Sequence, residues 1–240
     1  MKVAVVIPTY NEKDNISRLV AKIEEAFSLH NLSGYILIVD DNSPDGTGAI
    51  AESLAKVYGN IRVIHRTSKL GIGSAYREGF KQAMALKCTA VIEMDADLSH
   101  DPTLIPSLIS QIEKGYGVVV GSRYVKGGNI IGWSWTRRLI SEGANLLARS
   151  VLGLSIFDAT SGYRAYRASV LCELDLATIK SDGYVFQVEM IYRAQKEHFQ
   201  ISEIPITFVD RKLGKSKLGK NEILEYVKFI FLSKFRSMKL

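Results

Sequence analysis

The chain has 240 residues, enough for one large α/β domain and too few for two comfortable ones. Nearly half of the residues are apolar and about a quarter are charged, an ordinary globular composition with material for a sizeable core. The formal charge of +6 gathers in basic clusters at 211–220 and 234–239, which suit an anionic partner such as phosphate or an anionic membrane surface as well as they suit a solvated tail. Cys88 and Cys172 are too few for a disulfide framework. Both sit beside apolar runs and read as reduced core thiols in a cytosolic setting.

In chain order, the apolar start from Val3 to Ile7 is a strand-length run ended by Pro8, not a signal peptide. Short apolar runs suited to buried parallel strands fall at 2–8, 35–40, 61–65, 90–95 and 117–122. Helical spacing separates them at 14–29, 46–58, 71–86 and 101–114; Ile16, Leu19, Val20 and Ile23 recur on one face, as do Leu104, Ile105, Leu108 and Ile112. This alternation predicts an α/β fold, an open and mainly parallel sheet with helices on both faces. Ligands of such sheets sit beyond the carboxyl ends of the strands.

After residue 125 the pattern changes. A loop with Gly127 and Gly128 leads past Trp133 and Trp135 into a helix at 134–152, followed by a loop through Asp158-Ala159-Thr160-Ser161-Gly162-Tyr163-Arg164. A helix at 184–197, a strand at 201–208, a basic loop and a last helix at 220–236 complete the chain. No low-complexity linker and no internal repeat appears, so residues 1–240 are expected to form one domain: 1–125, 126–218 and an amphipathic helix in 219–240. No stretch reaches the roughly 18 apolar residues that span a bilayer, so the chain is not expected to cross a membrane by itself. In the last helix Ile223, Val227, Ile230 and Lys234 follow one stripe, while Tyr226, Phe229 and Leu232 lie off it. Such a helix needs a second cover, either a membrane interface or membrane-bound partner, or burial between core and loop. Trp133 and Trp135 suit interfacial anchors.

Polar residues gather where the strands end. Asp95-Ala96-Asp97 follows the strand through Met94, and alternate strand residues face the same way, so its two carboxylates can point together over the sheet edge. A hard divalent cation would accept one or both and fill its remaining positions with water and diphosphate oxygens. Two aspartates after a strand are also common turn residues. A second acidic site, Val39-Asp40-Asp41-Asn42-Ser43-Pro44-Asp45-Gly46-Thr47, ends another strand and runs into a helix. Residues 43–47 are good turn and cap chemistry, whereas the adjacent carboxylates of Asp40 and Asp41 repel and need another reason, such as a base edge or ribose hydroxyl. Gly71-Ile72-Gly73 fails the dinucleotide fingerprint because Tyr76 takes the third glycine position, which disfavours a Rossmann oxidoreductase.

These motifs, with Ile7-Pro8-Thr9-Tyr10-Asn11-Glu12, Asp95-Ala96-Asp97-Leu98-Ser99-His100 and Gly121-Ser122-Arg123-Tyr124, resemble family 2 glycosyltransferases of the GT-A fold, and more narrowly the dolichyl-phosphate (polyprenol-phosphate) mannose synthases without a transmembrane domain. The resemblance covers essentially the whole chain, with the motifs in order. It implies transfer of mannose from GDP-mannose to dolichyl or polyprenyl phosphate. It implies a nucleotide-sugar site made of Pro8, Tyr10, Glu12, Val39, Asp40, Asp41, Asp95, Ala96, Asp97, Arg211 and Lys217. Mg2+ or Mn2+ would be held by Asp95, Asp97 and Ser99, and the loop 211–217 would close over the diphosphate. Residues 158–164 would be the acceptor-side loop.

An acceptor that is a phosphate monoester is largely anionic at neutral pH, its second pKa being near 6. No general base is then required, so Asp182 and Glu189 read as cap and packing residues. The task is to steer two anions together with fixed positive charge. Asp97, through the metal, and the cations Arg123, Arg211 and Lys217 would carry the chemistry, a single in-line displacement that inverts the anomeric carbon. Arg123, Arg137 and Ser141 would hold the acceptor phosphate, since Arg137 and Ser141 lie four apart on a predicted helix and share a face. The implied setting is cytoplasmic, peripheral on the cytosolic face of a membrane, with the membrane surface or small membrane-anchored subunits as partners. The competing readings are the same fold with UDP-glucose or a UDP-N-acetylhexosamine, and a non-catalytic nucleotide- or nucleic-acid-binding module. Nucleic acid is disfavoured, because acidic strand ends repel a polyphosphate unless metal intervenes.

Overall fold

The computed structural model describes residues 1–210 and 220–237, with side chains for 1–210 and 222–235. Arg211 and Lys217 lie outside the described residues. Seven strands form one sheet: β1 (Lys2–Thr9), β2 (Ser33–Asp40), β3 (Ile61–His65), β4 (Ala90–Glu93), β5 (Val118–Ser122), β7 (Arg164–Arg167) and β8 (Ile201–Pro205). β6 (Asn129–Ile131) and β9 (Thr207–Val209) pair in a small parallel sheet of their own. The order in the large sheet is β3-β2-β1-β4-β7-β5-β8, parallel throughout except that β7 runs antiparallel between β4 and β5.

Strand periodicity divides the core. Val3, Val5 and Ile7 of β1 pack on one face, with α1 (Ile16–Leu29), Ala51 of α2 (Thr47–Tyr58) and α4 (Ile105–Glu113). Ala4 and Val6 pack on the other, with α3 (Ile72–Ala85), α5 (Trp135–Leu152), α6 (Ala168–Glu173), α7 (Gly183–Lys196) and α8 (Lys220–Ser237). β1 and β2 are therefore apolar on both sides, as a doubly covered sheet requires. α3 lies close against β1 because Gly79 has no side chain; a Cβ there would stand 2.2 Å from a Val6 methyl.

Helix ends follow local chemistry. The Ser134 hydroxyl accepts from the Arg137 N–H and caps α5, whose far end is closed by Gly153 in the left-handed region. Asp45 accepts from the Thr47 N–H at the start of α2.

The structure departs from the sequence reading in several elements, and it adds the strands β6 and β7 where loops were read. The helix read at 101–114 is a 3-10 turn, Pro102–Leu104, followed by α4. The strand read at 201–208 breaks at Ile206, whose N–H reaches the Ser122 carbonyl and whose own carbonyl receives the Asn129 N–H, so its halves join different sheets. Cys172 is exposed, because Val170 and Leu171 take the core positions of short α6. In α8 the buried pair is Tyr226 and Ile230; Tyr226 lay off the stripe read from the sequence but donates its hydroxyl to the Ala144 carbonyl, while Ile223 is exposed.

Candidate active site

Beyond the carboxyl ends of β1, β2 and β4 lies a cavity of about 360 Å³. Pro8, Tyr10, Glu12, Asp41, Asp95, Ala96 and Asp97 all line it, as do Lys69, Asp182 and Gln187. Asp40 and Asp41 divide their labour because neighbours on a strand point oppositely. The Asp40 carboxylate is buried, accepts from the Thr9 hydroxyl (3.1 Å) and the Ser43 N–H (3.1 Å), and organises the loop without lining the cavity. Val39 is likewise in the core. Asp41 faces the cavity, 2.9 Å from the Arg66 guanidinium, and accepts from the Leu70 and Gly71 N–H groups. Burial pushes its carboxyl above the usual range despite Arg66. The Lys69 ammonium lies 3.8 Å from the centre of the Tyr10 ring.

Asp95 and Asp97 both reach this cavity from the loop after β4. Two side chains hold Asp95: its N–H donates to His100 Nδ1, the Tyr76 hydroxyl donates to Oδ1 at 3.0 Å, and His100 Nε2 lies 3.9 Å from Oδ2. The Ser99 N–H and hydroxyl both donate to Asp97. Ser99 is buried and does not line the cavity, so it orients a carboxylate where it was expected to be a third ligand. Among the described residues no group of three or more His, Cys, Asp or Glu side chains is poised for a metal. Two oriented carboxylates on one rim still fit a hard cation that takes its other oxygens from diphosphate and water.

A second cavity, about 200 Å³, lies between α5 and α8. Its walls include Ile140, Leu147, Ile223 and Val227, and Arg123, Arg137 and Ser141 all line it. Arg123 is anchored: its Nε and Nη2 donate to the two oxygens of Asp158 (2.7 and 2.6 Å), and Nη2 also donates to Thr160. Burial alone would push the Asp158 carboxyl up; the charge and hydrogen bonds of Arg123 outweigh it and leave it below the usual range. Arg137 stacks 4.1 Å from the Trp133 ring centre and donates through Nη1 to both oxygens of Asp210. The Tyr124 hydroxyl bonds Ser141 at 2.7 Å. Thr160, Tyr184 and Glu222 line both cavities, so the two adjoin.

Sequence reasoning missed the part played by Tyr76 and the burial of Arg164, while Asp182 and Glu189, read as cap and packing residues, are a cap and a structural partner. Tyr76 entered only as a failed glycine, yet it orients Asp95. Asp182 caps α3 rather than its own helix, accepting from the Gly73 N–H at 2.5 Å across 109 residues, and Gly71, at φ +94°, makes room for it. Glu189 pairs with Arg193 one turn on, a structural contact. Arg164 is fully buried, donating to the carbonyls of Gln187 and Ala159. No local spacing signals the contacts of Tyr76 with Asp95 or of Asp182 with Gly73, 19 and 109 residues away.

A mainly parallel sheet with carboxylates at its strand ends, facing a second cavity with cationic lining, defines a GT-A type sugar-nucleotide transferase. The chain belongs to glycosyl transferase family 2, whose model matches residues 4–174. It is 43% identical over 222 residues to the polyprenol monophosphomannose synthase of Mycolicibacterium smegmatis, covering 92% of this chain and 82% of that one. It is 41% identical over 227 residues to the undecaprenyl-phosphate mannosyltransferase of Micrococcus luteus, covering 95% and 91%. Among solved structures, glucosyl-3-phosphoglycerate synthase from Mycobacterium tuberculosis, in complex with Mn2+, uridine diphosphate and phosphoglyceric acid, superposes with a TM-score of 0.67 at 20% identity, covering 97% of this chain and 78% of that one. Mannosyl-3-phosphoglycerate synthase from Rubrobacter xylanophilus gives 0.68 at 16% identity, covering 99% and 74%. The protein is a glycosyltransferase enzyme with the GT-A fold, and the reading as a non-catalytic binding module falls.

Proposed function

We propose that the protein transfers mannose from GDP-mannose to a polyprenyl phosphate such as dolichyl phosphate, inverting the anomeric carbon to give a β-linked lipid-phosphate-mannose. The observation that carries it is the junction at Thr160, Tyr184 and Glu222, where a cavity rimmed by carboxylates meets an apolar cavity holding two arginines. The mannosyl and polyprenyl names of the two relatives agree with it. Pro8, Tyr10, Glu12, Asp41 and Ala96 bind the nucleotide, and Asp95 and Asp97 hold Mg2+ or Mn2+. When bound, the metal neutralises charge on the departing diphosphate. Tyr76, His100 and Ser99 keep the two carboxylates aimed. Arg123, Arg137 and Ser141 receive the acceptor phosphate, whose anionic oxygen attacks in line without a base. Arg211 and Lys217 belong to the donor diphosphate in this reading. The isoprenoid lies along Ile140, Leu147, Ile223 and Val227, and the outer faces of α5 and α8 rest on the cytosolic side of a membrane.

Purified protein incubated with labelled sugar nucleotides and polyprenyl phosphate tests this. Label from GDP-mannose should enter the lipid phase; preferential entry from UDP-glucose or a UDP-N-acetylhexosamine overturns the donor assignment. Asp97→Ala should lower kcat at least about a hundredfold, since the metal's charge stabilisation is worth several kcal/mol. Its melting curve should stay near wild type, and the shift that Mn2+ and GDP together give the wild type should vanish. Normal turnover would remove Asp97 from the metal site.

A further inference from the structure

Both arginines that line the apolar cavity face a carboxylate, and Glu222 lines it as well. Arg123 faces Asp158 and Arg137 faces Asp210. A phosphate dianion gains little from an arginine whose charge a carboxylate already meets until that carboxylate gives way. The two acids differ in how firmly they are held. Asp158 is fully buried and receives the Arg123 backbone N–H as well as two guanidinium nitrogens. The Asp210 side chain is 25% exposed, and it meets Arg137 through one nitrogen, Nη1, at 3.0 and 2.9 Å, where Asp158 engages two guanidinium nitrogens of Arg123.

Arg137 does not depend on that contact for its place. Its guanidinium lies against the Trp133 ring, and its backbone is fixed in the first turn of α5 by the Ser134 cap. Asp210 is fixed independently too, its N–H donating to the Ile131 carbonyl at 2.9 Å. The contact between the two side chains is therefore not what holds either backbone in place.

Resting on the reading of Arg137 as an acceptor-phosphate residue, we propose that Asp210 stands in for the acceptor. Its carboxylate occupies Arg137 until a phosphate monoester displaces it, and Asp210 thereby sets acceptor affinity and rejects weaker anions. A phosphate monoester carries about −1.5 to −2 charges at pH 7 against one for a carboxylate, so it wins the exchange. A lipid carboxylate or sulfate monoester, with a single charge, gains less.

The test is a double-mutant cycle on the full chain, with a short-chain polyprenyl monophosphate as acceptor. Asp210→Asn keeps the shape of the side chain, and Asp210→Ser is a second variant should the first fail to fold. The expected result is an acceptor KM lowered about three- to tenfold, as freeing a partly exposed ion pair allows. The donor KM should stay within about twofold of wild type, because Asp210 does not line the donor cavity. In an Arg137→Ala background the same substitution should lose its effect. An unchanged or raised acceptor KM overturns the proposal, and so does an equal gain without Arg137, which would mark general charge relief. If Arg137→Ala alone leaves the acceptor KM unchanged, it is the underlying site assignment that fails.

Discussion

Asp158 and Arg123 are 35 residues apart and form the most enclosed ion pair of the site, with side chains 0% and 6% exposed. Removing one partner of a buried pair strands the other, which typically costs about 3–5 kcal/mol. Asp158→Asn should lose stability of that order at pH 7, measured by urea unfolding. The pH dependence follows from sign. The folded carboxyl sits below its ordinary value, so its contribution is fully present above the unfolded pKa of about 3.9 and is lost as pH falls through the lower folded value. The gap between wild type and Asp158→Asn should therefore be constant from pH 7 to pH 5 and close progressively below pH ~4. A gap that persists undiminished at pH 3 would mean that the packing of residue 158, not its charge, supports the loop.

At the scale of elements, α3 carries the site through its fit to β1. Gly79 meets Val6, and one helical turn earlier Tyr76 is placed to reach Asp95. Gly79→Ala should overpack this contact at a cost of about 1–3 kcal/mol, visible as a lowered Tm. The displacement should also weaken the metal-dependent GDP shift more than the change in Tm explains. The same element shows what a sequence discloses. β1 to β5 and α1 to α5 declare themselves by apolar period, because burial on one or both faces is a local property of the chain. β7 does not: Arg-Ala-Tyr-Arg reads as polar, and its place rests on β4 and β5, to which it pairs antiparallel, and on partners that Arg164 finds inside. The acidic rim was legible for a similar reason, since carboxylates at strand ends lie within a few residues of the strands that aim them. Tyr76, Asp158, Asp182 and Asp210 act on residues 19 to 109 positions away, and only the fold brings them there.

At the scale of the whole molecule, the apolar cavity opens between two helices that are apolar on their outer sides as well. The core side of α5 is Asn145, Ala148 and Leu152, yet Trp135, Leu139 and Leu146, on another stripe, are 73%, 57% and 62% exposed. On α8, Leu224, Phe231 and Phe235 are exposed, with Lys228 and Lys234 beside them. No helix among the described residues is long and apolar enough to cross a membrane, so such a surface fits contact with an interface, with apolar groups inserted and lysines at headgroup level. Leu139→Asp with Leu146→Asp removes two insertions and adds two charges that anionic headgroups repel. Since burying one leucine is worth about 1.5–3 kcal/mol, co-sedimentation with phosphatidylcholine–phosphatidylglycerol vesicles should weaken at least tenfold. Turnover of a short-chain acceptor free in solution should persist, because neither leucine lines the donor or the apolar cavity, while turnover of a long-chain acceptor embedded in vesicles should fall in step with binding. Undiminished vesicle binding by the double variant would assign α5's outer face to a protein partner instead, and a membrane-embedded subunit would then be the surface to seek.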